Sequence, residues 1–215
     1  MTACFLVIPA VGSLSTSVQA DNTRPGDLDI NARTIFGITL GKANLTSVQA
    51  KLGRAKVWGD GDASSAESKV CYFTRGADSL VITFAANAEM SPNGEITDVR
   101  VVRRAGYKNQ SYCQPLNTNG DQVRTGSGLK LGVTPNEVRL MMGKPSRSNR
   151  VEWDYAWSID RSIPQSDKSY QYWLARRQEC FEGKEPYYTT LGGILIRFNG
   201  GVVDALSLTR YESLC

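Results

Sequence analysis

The sequence predicts an α+β protein of two tandem units, each a short helical part packed on an antiparallel β-meander. Three observations predict it. A Gly-apolar-x-apolar-Gly segment occurs twice, as Gly37-Ile-Thr-Leu-Gly41 and Gly128-Leu-Lys-Leu-Gly132, at an offset of 91. Each copy is followed by a capped helix signal that stops at a glycine, Gly53 and Gly143. Each half then closes on β-rich runs behind glycine turns, the pattern of a hairpin.

In chain order, residues 1–20 read as a secretory signal: an apolar run over 4–12, small polar residues, and a Val18-Gln19-Ala20 ending. No lysine or arginine precedes the run, and the run is too short to span a bilayer as a helix. Residues 21–35 form a polar N-terminal linker. Unit 1 covers 36–115. Its helix is capped by Asn44 or Thr46 and ends at Gly53. Strands follow at 69–74, 80–84 and 94–104. Residues 116–126 are polar and turn-rich, a second linker. Unit 2 covers 127–215. Thr134-Pro135-Asn136-Glu137 supplies a capping box with proline at the first helical position. Strands are expected at 151–157, 194–198 and 200–210; the last two match 80–84 and 94–104 at offsets of 114 and 106.

Composition removes whole classes of chemistry. The chain has no histidine, so Ser-His-Asp and Cys-His catalysis, His-ligated zinc and imidazole proton shuttles are excluded. No phosphate-binding glycine loop and no Ser-x-x-Lys motif occur. The acidic stretch 59–67 lacks the glycine and glutamate of a calcium loop. Accordingly no catalytic residue, metal or cofactor is assigned. Carboxylate pairs need not be close in sequence, so a carboxylate-dependent hydrolase stays an alternative. A net charge of +4, from 25 basic and 21 acidic residues, does not mark a nucleic-acid binder. The arginines Arg100, Arg103 and Arg104 read as an exposed patch on a sheet.

Removal of the signal takes Cys4 with it and leaves Cys71, Cys113, Cys180 and Cys215, an even set with three connectivities. Cys113 and Cys215 both trail the last strand of their half, which favours Cys71–Cys113 and Cys180–Cys215. No cysteine sits at the cleavage point, so no lipid anchor is expected, and no later segment reads as a membrane span.

The interval from helix end to hairpin is 31 residues in the first half (Gly53 to Phe84) and 55 in the second (Gly143 to Phe198). The added stretch carries Tyr170, Tyr172, Trp173, Arg176, Arg177, Phe181, Tyr187 and Tyr188. Tyr, Trp and Arg supply large contact area with a polar handle, so this set is a candidate binding surface. Trp153, Tyr155 and Trp157 alternate and share one strand face. They either extend that surface or turn inward as core.

The series Leu131-Gly-Val-Thr-Pro-Asn-Glu-Val-Arg-Leu-Met-Met-Gly-Lys-Pro145, followed by Trp153-Asp-Tyr155, resembles the SmpA/OmlA (BamE) outer-membrane assembly lipoproteins and the β-lactamase inhibitor proteins. Val133 and Met142 replace the methionine and leucine usual there, and the first half has no Trp-x-Tyr pair. The tandem, disulfide-bonded layout is nearer the inhibitor type. The resemblance implies an exported, non-enzymatic module of the bacterial envelope, periplasmic or secreted. Its expected partner is another envelope or secreted protein, which a module of the inhibitor type inhibits; an outer-membrane assembly or cell-wall-binding role is the alternative.

Overall fold

The computed structural model describes residues 30–60, 67–87, 94–108 and 110–213. The expected signal segment, most of the N-terminal linker, most of the acidic stretch 59–67 and Cys215 lie outside them. Strands β1 (Thr34–Ile35) and β2 (Ile38–Thr39) form a small hairpin, followed by helix α1 (Leu45–Leu52). Then come β3 (Trp58–Asp60), β4 (Glu67–Arg75), β5 (Leu80–Asn87), β6 (Asp98–Arg103) and β7 (Gln114–Asn119). The second half holds α2 (Pro135–Met142), β8 (Arg147–Ser148), β9 (Glu152–Ser162), α3 (Tyr170–Ala175), α4 (Arg177–Cys180), β10 (Tyr187–Asn199) and β11 (Val202–Ser213).

These strands correct the expected architecture. In place of two tandem helix-on-meander units there is one nine-stranded, mostly antiparallel sheet, in the order β3-β4-β5-β6-β11-β10-β9-β8, with β7 parallel beside β4. The physical reason is the edge. Each hairpin, β5–β6 and β10–β11, ends on a strand whose outer N–H and C=O groups need partners. The two end strands supply them to each other, with Val99 opposite Leu208 and Val101 opposite Leu206.

The sheet buries one face along two continuous rows. One runs Val70, Phe84, Val99, Leu208, Ile194 and Tyr155; the next runs Tyr72, Ile82, Val101, Leu206, Ile196 and Trp153. All twelve are buried in a single cluster that also holds Val48 of α1, Val138 of α2 and Ile35 and Ile38 of the small hairpin. Leu116 and Val123 join it, as do Ala32 and Ile35. The stretch read as a linker over 116–126 therefore holds most of β7 and gives Leu116 and Val123 to the core, and Ala32 and Ile35 of the linker ahead of residue 36 are core as well.

The duplication survives as local structure. Asn44 caps α1, its Oδ1 accepting from the Ser47 N–H at 2.9 Å, and Thr134 caps α2 in a box closed by Glu137. Gly53 and Gly143 end the helices at φ of 96° and 74°, a region that disfavours a Cβ. The N–H of Gly41 donates to the Ile96 carbonyl and that of Gly132 to the Val203 carbonyl. The Tyr72 hydroxyl donates to the Gly53 carbonyl at 2.8 Å and the Tyr155 hydroxyl to the Gly143 carbonyl at 3.1 Å. Tyr72 thus fills, in the first half, the place Tyr155 fills in the second.

Gly192 shows how closely this face is packed. A Cβ there would fall inside the indole of Trp157 and 2.6 Å from the Thr209 carbonyl oxygen. Gly192→Ala is expected to cost about 1–3 kcal/mol, the usual range for overpacking, and to shift tryptophan emission. Urea unfolding followed by fluorescence checks both; an unchanged midpoint contradicts this packing.

Candidate functional site

Helices α1 and α2 and the small hairpin cover one face, so side chains pointing the other way form a second surface. Its central row runs Cys71, Thr83, Arg100, Ser207, Leu195 and Asp154 across six strands. The flanking rows place Lys69, Ala85, Asp98 and Thr209 on one side, and Phe73, Val81, Val102, Ala205, Arg197 and Glu152 on the other. Near β4 this face is partly roofed. Cys71 is disulfide-bonded to Cys113, and the pair packs with Val81, Trp58, Phe73, Val102 and Tyr107. Cys180 is also disulfide-bonded; the expected pairing with Cys215 falls on a residue outside the described ones.

Beyond that roof lies a cavity of about 620 Å³. Its floor holds short side chains, Thr83 and Ala85 from β5 and Ala205 and Ser207 from β11, beside Leu195 of β10. Trp58 and Tyr107 stand at one side. Trp58 stacks on Tyr112 at 5.5 Å between ring centroids, and the Tyr107 hydroxyl lies 3.3 Å from Thr83 Oγ1. Three acidic groups, Glu67, Asp98 and Glu152, meet three basic ones, Lys69, Arg100 and Arg197, so the lining is balanced in sign. Lys69 is ion-paired with Glu67.

Asp98 is the perturbed group of this surface. Burial pushes its carboxyl up from 3.8 to about 6; the Ser207 hydroxyl, donating at 3.2 Å, opposes the rise, Glu67 adds to it, and Arg100 and Lys69 offset it. A folded-state value above the unfolded one means that Asp98 favours folding below pH 3.8 and that this contribution is lost as pH rises through about 6. Asp98→Asn is expected to remove the loss, raising stability over the wild type at pH 7 by roughly 1–3 kcal/mol and by less toward pH 4. Thermal unfolding across that range checks it, and no histidine titrates there to confuse the profile. A difference independent of pH contradicts it.

The structure separates the residues that sequence reasoning grouped. Trp153, Tyr155 and Trp157 are all buried on the helix-covered face, inaccessible to a partner. Trp153 packs edge-on to Phe198 at 4.9 Å beneath Arg139, and the Arg33 guanidinium lies 4.6 Å from the Trp157 ring. The added stretch folds on itself. Tyr170 is buried, its hydroxyl donating to Glu185 at 2.6 Å, and Phe181 is buried between Trp173 and Tyr187. Trp173, Tyr187 and Tyr188 are half-buried. Only Tyr172, 52% exposed, with Arg176 stacked on its ring at 3.9 Å, stands open among the tyrosines proposed there. Of the arginine patch, Arg103 pairs with Asp78 and Asp204, and Arg104 stacks on Phe73.

Sequence reasoning missed Asp98, Ser207, Lys69, Glu67, Trp58 and Tyr107 as a set. The alternation Asp98-Val-Arg100-Val101 held a signal, since it puts two opposite charges on the face away from two valines.

Among the described residues, no group of three or more Cys, Asp or Glu is placed to hold a metal ion, and no helix is long and apolar enough to cross a membrane. The disulfide is compatible with an oxidising, exported location. Comparison with known proteins returned no match among family profiles, curated proteins or solved structures.

Proposed function

We propose that the protein is a non-enzymatic binding module of the bacterial envelope, periplasmic or secreted, whose open sheet face receives a surface segment of another exported protein. The observation that carries this reading is the asymmetry of the sheet. Helices α1 and α2 and the small hairpin cover one face, while the other presents a cavity with short side chains on its floor and equal numbers of opposite charges. A polyanion such as nucleic acid meets three acids there, and a polycation meets three bases. A protein segment of mixed charge satisfies both. The resemblance of residues 131–145 to the SmpA/OmlA and β-lactamase inhibitor proteins also supports the reading.

The test is affinity capture from an envelope extract with mass spectrometry. Wild type is compared with an Ala85→Arg, Ser207→Arg variant, which fills the floor, and with Leu140→Arg, which alters the 87%-exposed Leu140 elsewhere. Wild type and L140R are expected to retain the same protein and the floor variant to lose it. Equal retention by all three, or no retained protein, overturns the reading. The hydrolase alternative draws on Asp98, a carboxyl raised to about 6 in a cavity lined by two aromatic rings. It requires turnover that Asp98→Asn abolishes.

A further inference from the structure

We propose that the open-face cavity contains a subsite for a basic side chain, with the Asp98 carboxylate as its floor and the rings of Trp58 and Tyr107 as its wall. The partner segment then carries an exposed lysine or arginine. This rests on the protein-binding reading and adds the residue class that the partner presents.

Asp98 lines the cavity and accepts from Ser207 Oγ. A carboxylate has about four acceptor positions, so capacity is left for an incoming donor. Among the described residues no lysine or arginine lies at ion-pair distance from Asp98; Arg100 and Lys69 act on it from farther away, and Lys69 is ion-paired with Glu67. The neighbours along the sheet are short. Ala85 is directly opposite Asp98 on β5, and Ser207 lies on β11. Short neighbours leave room above the carboxylate for a long side chain. Trp58 and Tyr107 line the same cavity, and aromatic side chains pack well against an alkyl stem.

Electrostatics agree with the geometry. Burial makes the charged form of Asp98 costly, and an ammonium or guanidinium supplies the counter-charge that water no longer does. The other charged groups facing the cavity are Glu67 and Lys69 from β4, Arg100 from β6, Arg197 from β10 and Glu152 from β9; with Asp98 they balance, so the attraction for a cation is local to the Asp98 carboxylate and not a net charge of the cavity. Bound cation holds Asp98 ionised, so affinity is flat above about pH 6 and falls below it.

The test is a nuclear magnetic resonance titration of the disulfide-bonded protein with Nα-acetyl-arginine amide, with Nα-acetyl-norleucine amide as the uncharged control. At pH 7.5 the arginine probe is expected to move the amides of Asp98, Ser207 and Thr83 and the Trp58 indole N–H saturably, at least about tenfold more tightly than the control. At pH 5 its affinity falls about tenfold, the fraction of Asp98 left ionised one pH unit below its midpoint. Asp98→Asn is expected to abolish the response; the pH series uses wild type alone and holds whether or not that variant folds. Equal response to the uncharged probe, no response at these residues, or affinity unchanged at pH 5 overturns the subsite. Partner capture lost in the floor variant but unchanged in Asp98→Asn overturns the subsite and leaves the protein-binding reading standing. Capture unchanged in both overturns the reading itself.

Discussion

Replacing Cys71 and Cys113 together by alanine is expected to destabilise the folded chain by about 4 kcal/mol, the loop-closure value for a sequence separation of 42 residues. For a chain of this size that corresponds to a fall in Tm of roughly 8–16 °C. The bond joins β4 to the segment just before β7 and lies in an apolar cluster under Trp58, Phe73 and Tyr107. Its loss therefore acts on the cavity as well as on stability, because Trp58 and Tyr107 form the cavity wall. Calorimetry of the double variant, beside wild type with and without reductant, measures the effect. A Tm within 2 °C of wild type (below the shift expected from 1 kcal/mol) contradicts it.

Arg210→Met is expected to cost about 3 kcal/mol, the lower end of the range for breaking a buried ion pair. The Arg210 side chain is 8% exposed and lies between two carboxylates, with Nη1 3.4 Å from Glu95 Oε2 and Nη2 2.5 Å from Glu212 Oε1. Its backbone N–H donates to Thr97 at 2.8 Å, and Gly41 lies against its guanidinium with no room for a Cβ. The arginine thus ties β11, the start of β6 and the first glycine motif together. Without it, the Glu95 and Glu212 carboxylates lose the cation they share, partly out of water. Their exposures of 28% and 29% allow some solvation, which is why the lower figure applies. One control separates charge from packing. Adding Glu95→Gln and Glu212→Gln to Arg210→Met should restore much of the loss. A triple variant no more stable than Arg210→Met assigns the deficit to packing instead.

Both effects sit where distant parts of the chain meet, and those meetings were the least legible part of the sequence. The helices were readable because their signals are local. Asn44 with Ser47, Thr134 with Glu137, and Gly53 and Gly143 act within one turn of the backbone they satisfy. Strands were readable from alternation, although β9 and β10 run longer than expected. Pairing was not. β6 and β11 are about a hundred residues apart, and in each half the last strand of the hairpin looks equally able to remain an edge. Repeated signals suggested repeated units, whereas matched edges made one sheet. Leu116 and Val123 were hidden among polar neighbours, since two core residues seven apart carry no periodicity.

The candidate site was legible in part for the same reason. Alternation showed that Trp153, Tyr155 and Trp157 share a face but not that the helices cover it. It also set Asp98 and Arg100 together, but their company of Lys69, Ser207 and Arg197 depends on the register of five strands. The added aromatic stretch was read as surface. Much of it instead covers itself, because a long excursion between β9 and β10 must bury its own apolar side chains around Tyr170 and Phe181.

A single sheet joined at β6 and β11 is tested most directly by cross-strand nuclear Overhauser effects in the disulfide-bonded protein. The expected result is contacts at the registers Val99–Leu208 and Val101–Leu206, with slow amide exchange in both strands. Strong contacts inside each hairpin but none between β6 and β11, with fast exchange along those two strands, would mean two separate sheets and no shared open face.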